Sequence, residues 1–590
     1  MFLATTAIQD FWEPSEEILF LGEWCLLFDQ RPVWEKLKHN VLAYPWDDPR
    51  RLEAAYRYCD GLYERMLEEL TGDFNRIHET GETQRYWRIV FGEWLWRYIQ
   101  ILYDRYTLLK DALARDPQFK TCLLDERNNR YVQSNLEFVH YAKSDSYNLQ
   151  LFSQILRLLG GRFPAKEWRG QDSSYFGRSR ANAVYKQFFR EHIRPPLERL
   201  TFRFSAQRQV LLHQVRIAPE TPEQKSLWRQ WRVGKLGLGV QTKTLRANDA
   251  LRTVFRDKKK TDEFETICYQ MMAYCLPLDI LEGYRDIRNQ VSGFLDNCPK
   301  AIISAIGWRF DTPAAVYMAE AVKRQTVLIG TQHGGGYGTF LYDAMLDNEL
   351  KAVDHFISWG WNNRQPKVIP LPQPGLSVPV RTKDENQTKS QIFYVGNLGP
   401  RYQLLFQSCY LGPQALRYME WQKKFLNSLT DATRRRLLVR LYYLDMGWSN
   451  QQRLEESVSG IKFDHCDVPF RNRLAESRLV VLDNNQTAYL EVMAMNIPTI
   501  LFWDPDLWGI RKSAEPYFEQ LRAAKILHDS PEAAGRFIND RLTQIESWWF
   551  ARDVQEVVAE FTRQFARADR NWFKEWSRVL SGELSGSKKG

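Results

Sequence analysis

The stretch Val327–Gly338, VLIGTQHGGGYG, limits the possible folds of this chain more than any other. An apolar run, Val327–Ile329, passes at once into a polar loop with three consecutive glycines, Gly334–Gly336. Glycine gives up more backbone freedom on ordering than any other residue, so a run of it needs a structural reason. A strand that hands over to a loop lying close to a ligand supplies one, because the N–H groups of such a loop can cradle a phosphate or a carboxylate. Gln332 and His333 stand at the mouth of the loop. The plainer alternative is a tight turn with a hydrogen-bonded histidine, which needs one or two glycines rather than three.

A second stretch, Arg478–Asp504, answers the first. Leu479–Leu482 reads as a buried strand, Asp483–Gln486 as a polar loop, and Ala488–Met495 as a helix capped by Thr487. Asn496 and Pro498 end the helix, and Ile497–Phe502 reads as the next strand. This is a strand–loop–helix–strand unit, whose loop lies where open parallel sheets bind ligands. The chain thus predicts two α/β sites, about 150 residues apart.

At 590 residues the chain is long enough for two or more domains. Aromatics make up 14%, with 21 tryptophans, which predicts that many line clefts or stay partly exposed. The eight cysteines form no CxxC pair, and the nine histidines form no HExxH motif, so reduced thiols and no structural zinc are expected. The N-terminus carries no basic leader, and no apolar run reaches the roughly 18 residues of a bilayer span. A cytoplasmic protein, or one peripheral on the inner membrane face, is expected. Net charge is +9, yet residues 161–260 alone hold 23 Lys and Arg against 8 Asp and Glu. Such a segment suits an acidic partner and is the candidate surface for an anionic membrane. Arg178, Arg180, Arg190, Arg194 and Lys258–Lys260 are its densest points.

In chain order, Ile18–Leu21 predicts a first strand that delivers Glu23 into a loop. Asp47-Asp48-Pro49 opens a helical region over Arg51–Leu70 and Tyr86–Leu109, where Arg85, Arg88 and Arg97 interleave with aromatics. A helical core with a basic flank fits that pattern better than a nucleic-acid groove. Residues 135–260 also read as largely helical. Asp311-Thr312-Pro313 starts a helix, and His355–Trp361 reads as a short strand with its turn. Pro366, Pro370, Pro372, Pro374 and Pro379, followed by a polar run, predict a linker over 366–390. Gln391–Val395 and Leu437–Tyr442 read as strands of a second α/β domain, and Trp508–Lys512 leads into another helix. The expected architecture is α/β. It has an N-terminal Rossmann-like acceptor or catalytic domain (1–365) with a helical insertion over about 47–300, and a C-terminal Rossmann-like nucleotide-binding domain (391–545). Helices over 546–580 are expected to pack back, and 581–590 to be disordered.

The chain resembles the bacterial family of surface-carbohydrate (O-antigen type) transferases. The matching stretches are TTAIQDFWEPSEEILFLGEWC, YPWDD, RYWRIVFGEWL, GTQHGGGYG, SWGW, LEVMAMNIPTILFWDP and WGIRKSAEPYF, and they span nearly the whole length. More distantly the chain is similar to the Kdo and CDP-glycerol transferases of capsule and teichoic-acid synthesis, which share a His-Gly loop and a Ser/Thr-rich loop before a Glu-containing helix. Here that second loop reads DNNQTAYLE, with Asn484, Asn485 and Gln486 in place of hydroxyls. The resemblance implies two Rossmann domains facing across a cleft, the GT-B arrangement, and glycosyl transfer from a nucleotide-activated sugar to a surface-glycan or lipid-linked acceptor. The resemblance leaves the donor open; no cofactor beyond the donor is expected, and a CMP type with a Kdo- or nonulosonate-type acid sugar is the form expected.

On this reading Gln332, His333 and Gly334, Gly335 and Gly336 contact donor or acceptor, with His333 as base or phosphate partner. Glu23 is a candidate catalytic carboxylate and Asp311 a second. Asn484, Asn485, Gln486, Thr487 and the helix start after them bind the nucleotide phosphate. Glu491 meets a ribose hydroxyl, and Arg401, Arg440, Arg511 and Lys512 are candidate phosphate clamps. These cations make a metal unnecessary, and no nucleic-acid partner is expected. Three rival readings stay open. They are a CDP-glycerol-like polyol-phosphate transferase, a non-enzymatic nucleic-acid or membrane-binding protein, and a nucleotide-sugar epimerase or hydrolase.

Overall fold

The computed structural model describes residues 1–170, 209–215, 222–240, 244–296 and 298–586. The chain forms two compact units. The first gathers Met1–Gln214, Arg229–Leu328 and Pro400–Phe406, and the second Val215–Trp228, Ile329–Gly399 and Gln407–Gly590.

The first unit opens with a strand that the sequence reading missed. β1 (Phe2–Ala4) pairs in parallel with β2 (Ile18–Phe20), and β2 with β3 (His39–Val41). Glu23 follows β2 in a short 3-10 turn, Glu23–Cys25. The helix Pro49–His78 starts where Asp48 accepts the Arg50 N–H at 2.9 Å, and proline sits at its first position, where a missing N–H costs nothing. Two short parallel strands, β4 (Leu123–Leu124) and β5 (Ala165–Lys166), lie beyond a second helix, Glu93–Arg115. Further along, β6 (Val210–His213) pairs in parallel with both β7 (Val233–Lys235) and β8 (Ala301–Ser304). Asp311 caps the helix Thr312–Lys323, as the sequence predicts.

The aromatic residues are spent differently from the expectation. Trp24, Trp87, Trp94, Trp96, Trp361, Trp448, Trp508 and Trp549 are all fully buried. Trp87, for instance, packs on Phe74, Phe91 and Tyr284 at centroid distances of 5.1, 5.7 and 4.9 Å. Large rings bury much apolar area per residue, and a helical layer with few small residues is filled by them. Arg88 pairs with Glu64 at 2.7 Å and the buried Arg97 with Glu93 at 3.0 Å, so both flank a helical core.

The second unit holds two sets of parallel strands. β9 (Val327–Thr331), whose last three residues belong to it, pairs with β10 (His355–Ser358), and β10 with β11 (Val368–Pro370). The other sheet has five strands in the order β13 (Leu437–Arg440), β12 (Gln391–Val395), β14 (Ser477–Leu482), β15 (Thr499–Phe502) and β16 (Leu527–His528), all parallel. Helices Ala415–Ser428, Thr487–Ala494 and Glu515–Ala523 connect its strands, so its core strands read as continuous apolar runs.

The proline-dense stretch expected as a linker is ordered, because it finds partners. It carries β11 and the helix Lys383–Gln387, and the Arg381 guanidinium donates to Leu474 O at 2.6 Å. Near the C-terminus, the helix Arg552–Phe565 packs Phe561 on Tyr489 and Phe518. The last helix, Trp572–Gly586, runs into the stretch expected to be disordered. All eight cysteines are free thiols. Among the described residues no helix is long and apolar enough to cross a membrane. Much of the basic segment, Arg178, Arg180, Arg190 and Arg194 included, lies outside the described residues. Lys258 and Lys260 are described, and both close ion pairs with Glu69.

Candidate active site

The glycine loop is built from the end of β9. Gln332 is only 2% exposed, and both ends of its amide are hydrogen-bonded within the protein. Its Oε1 accepts from Trp359 N at 2.9 Å and Trp361 Nε1 at 2.8 Å, and its Nε2 donates to Gly334 O at 2.8 Å. Gln332 therefore fixes the loop to the turn after β10, which is a positioning task.

The glycine run has a reason within the protein itself. A Cβ on Gly335 would lie 2.4 Å from the carbonyl carbon and oxygen of Gln486 and 2.7 Å from Thr487 N. Gly336 has φ +87°, a left-handed conformation in which a side chain is strained. The two stretches that the sequence set apart as two sites therefore meet inside one unit. The Gly335 N–H donates to Thr487 Oγ1 at 2.9 Å. Thr487 is accordingly the first residue of the helix rather than its cap. Gln486 takes the cap position and makes no side-chain capping bond.

His333 is partly exposed at this junction. Its Nδ1 lies 2.9 Å from the Tyr337 hydroxyl, which in turn donates to Glu349 Oε2 at 3.0 Å. Tyr337 is held by stacking on Phe356, centroids 5.7 Å apart.

At the base of the second loop, β14 is followed directly by Asp483, a buried carboxylate that no motif singled out. It accepts from Tyr394 OH, Tyr418 OH at 2.7 Å, Gln422 Nε2 at 2.8 Å and Asn484 Nδ2 at 2.8 Å. Burial raises its pKa, and the four hydrogen bonds oppose the shift. Asn484 Oδ1 accepts the Gln486 N–H at 3.2 Å, which shapes the turn into the helix. Asn485 between them is 0% exposed, and neither atom of its amide has a hydrogen-bond partner among the described residues.

The cations separate into two groups. Arg511 is partly exposed beside the glycine loop, where its N–H donates to Thr339 O and its Nε to Phe340 O, both at 2.9 Å. Lys512 next to it is exposed. Arg440 is buried, with its Nε on Asp464 Oδ2 at 2.8 Å. Arg401 belongs to the first unit and is buried in an ion pair with Asp145, which also accepts from Tyr402 OH at 2.6 Å. Glu491 pairs with Arg471 at 2.9 Å.

In the first unit, Asp311 Oδ1 accepts the Ala314 N–H at 3.0 Å, and its Oδ2 lies 3.8 Å from His213 Nε2. His213, at the carboxyl end of β6, has Nδ1 3.2 Å from Ser304 Oγ at the end of β8. Nearby Asp279 is buried and accepts from Thr312 Oγ1 at 2.7 Å, and burial pushes its pKa up to about 7. Glu23 lies in its 3-10 turn, away in sequence from this cluster. His213 and Asp279 were missed from sequence, since each closes or follows an ordinary apolar run. Among the described residues no group of three or more His, Cys, Asp or Glu side chains is placed to hold a metal ion.

Solved structures with some likeness to the chain include three of interest. The S. aureus MnaA–UDP co-structure has 11% identity and a TM-score of 0.32, covering 51% of this chain and 79% of its own. The wall teichoic acid polymerase TagF has 10% identity and a TM-score of 0.31, covering 69% and 97%. The Acinetobacter baumannii MurG has 11% identity and a TM-score of 0.32, covering 66% and 96%. Scores this low leave the fold resting on the strand pairings described above. No curated protein matches the chain in sequence. A family profile described as LIC12162 family transferase matches residues 1–580, nearly the whole length. The chain belongs to the LIC12162 family of transferases.

Proposed function

We propose that the chain is a glycosyltransferase that moves a sugar from a nucleotide-activated donor to a surface-glycan or lipid-linked acceptor. The donor we assign is of the CMP type, with an acid sugar of the Kdo or nonulosonate kind, following the resemblance of the His-Gly loop and the Glu-containing helix. The observation that carries the reading is the buried, unpartnered amide of Asn485 beside the start of the helix Thr487–Ala494. A buried polar group left without a partner costs about 1–3 kcal/mol, which a bound ligand can return. A phosphate oxygen accepts from the amide Nδ2. The helix start, which lacks a side-chain cap, offers further N–H groups and the positive end of its dipole. Arg511, whose Nε is held by Phe340 O, contributes charge from beside the glycine loop.

In the step proposed, His333 Nε2 takes the proton of the acceptor hydroxyl. The acceptor oxygen bonds to the anomeric carbon while the bond from that carbon to the phosphate oxygen breaks. The electron pair leaves with the nucleotide, whose added charge the helix N-terminus and Arg511 stabilise. The base is assigned to His333 rather than Asp311, one oxygen of which is already committed to the Ala314 N–H.

The test is product analysis with CMP-, CDP-, UDP- and GDP-activated donors and a lipid-linked glycan extract. The reading expects an acceptor heavier by one sugar and an equivalent of free nucleotide. An acceptor heavier by a polyol phosphate would replace the sugar with the rival chemistry. Donor consumed with no acceptor product would point to a hydrolase or epimerase.

A further inference from the structure

Tyr337 carries one hydroxyl proton and makes two hydrogen bonds on that oxygen. It donates to Glu349 Oε2 at 3.0 Å, so the contact of 2.9 Å with His333 Nδ1 requires the imidazole to be the donor. The order of proton donation along the chain thus runs from His333 to Tyr337 to Glu349. Glu349 is buried on the helix Ala344–Ala352, and Tyr337 is buried against Phe356, so two ordered elements hold the chain of bonds in place. Which nitrogen of a histidine carries the proton is set by the bond the other nitrogen makes.

We propose that Tyr337 and Glu349 are positioning residues that hold neutral His333 as its Nδ1–H tautomer, so that the basic lone pair lies on Nε2. The carboxylate at the end of the chain also stabilises the imidazolium that forms when Nε2 takes a proton, because charge is relayed as hydrogen-bond strength and no second proton moves. The catalytic consequence rests on the base role given to His333 above, whereas the tautomer stands independently of it.

The experiment is a long-range proton–nitrogen correlation spectrum of the full chain labelled with 15N-histidine, near pH 8. The His333 signals are assigned as those absent from His333→Gln. The wild type is expected to show a protonated Nδ1 and an unprotonated Nε2. Tyr337→Phe keeps the ring and its stacking but removes the hydroxyl. It is expected to move His333 away from the pure Nδ1–H form, while the other histidine signals stay in place and report an intact fold. An Nε2–H wild type, or a Tyr337→Phe spectrum identical to wild type, would overturn the proposal. In a transfer assay Tyr337→Phe is expected to lower kcat by up to about 100-fold, with donor KM little changed. A confirmed tautomer in a protein that transfers no sugar would sink the functional reading and leave this inference intact. A confirmed tautomer with unchanged kcat in Tyr337→Phe would overturn the catalytic part alone.

Discussion

The Gly335 N–H donates to Thr487 Oγ1 at 2.9 Å across 152 positions of sequence. This bond closes the glycine loop onto the start of the helix Thr487–Ala494, and it explains both residue types at once. Thr487→Val keeps shape and removes the acceptor, leaving a part-buried N–H without a partner. The expected loss is about 1–3 kcal/mol of stability by urea unfolding, with Thr487→Ser close to wild type.

Gly335 and Gly334 should respond differently to alanine. A Cβ on Gly335 meets backbone of Gln486 and Thr487 at 2.4–2.7 Å, which cannot yield without moving the loop. On Gly334 the nearest atom is the Thr487 hydroxyl oxygen at 2.9 Å, the far end of a side chain. Overpacking of the first kind costs about 1–3 kcal/mol. Gly335→Ala is therefore expected to be the more destabilising in a thermal melt, and equal melts for the two variants would contradict the packing described.

Asp279 gives a pH dependence with a definite sign. Burial raises its pKa to about 7 in the folded chain, above the ordinary carboxyl value of 3.8. Between those two values the folded state holds a proton that the unfolded state has released. Its contribution is therefore fully present below about pH 4 and declines as pH rises to about 7, by a total on the order of a few kcal/mol. Asp279→Asn removes this titration. Urea unfolding of wild type and variant across pH 4–7 should show stability falling more steeply with pH in the wild type than in the variant.

Much of this fold was legible, and the reasons for the misses are physical. Buried parallel strands such as Gln391–Val395 and Leu437–Arg440 announce themselves as apolar runs ended by turn residues. β1 escaped because three residues carry no period, and only pairing with Ile18–Phe20 makes them a strand. The glycine loop and the DNNQT loop were both found, yet their contact was not, because no local pattern encodes a bond between distant residues. Asp483 was passed over for the same reason. Its donors Tyr394, Tyr418 and Gln422 come from a strand and a helix that are unremarkable alone. Charge was read with least success. Arg401, Arg440 and Lys258 look like open cations in sequence, and the fold gives each a buried or partly buried carboxylate partner.

That difference separates the cations experimentally. Arg401→Ala leaves Asp145 buried without its guanidinium partner and is expected to cost about 3–5 kcal/mol of stability. Arg511→Ala removes only a bond to a carbonyl oxygen and should leave the melt nearly unchanged. Its expected effect is on nucleotide affinity, weakened about 10- to 100-fold in calorimetric titration, as for a lost charge-assisted hydrogen bond. Unchanged affinity in Arg511→Ala would remove that residue from the phosphate site.

On the function proposed, a nucleotide phosphate binds at Asn485 and the start of the helix after it. The most direct measurement is a thermal-shift comparison of CMP, CDP, UDP, GDP and ADP on wild type and on Asn485→Ala. A ligand at about 100 times its Kd stabilises by roughly 2.7 kcal/mol, a readily visible shift. CMP is expected to raise the Tm of the wild type and to leave Asn485→Ala at its unliganded value. No shift with any nucleotide, or a shift of equal size in both proteins, would contradict it.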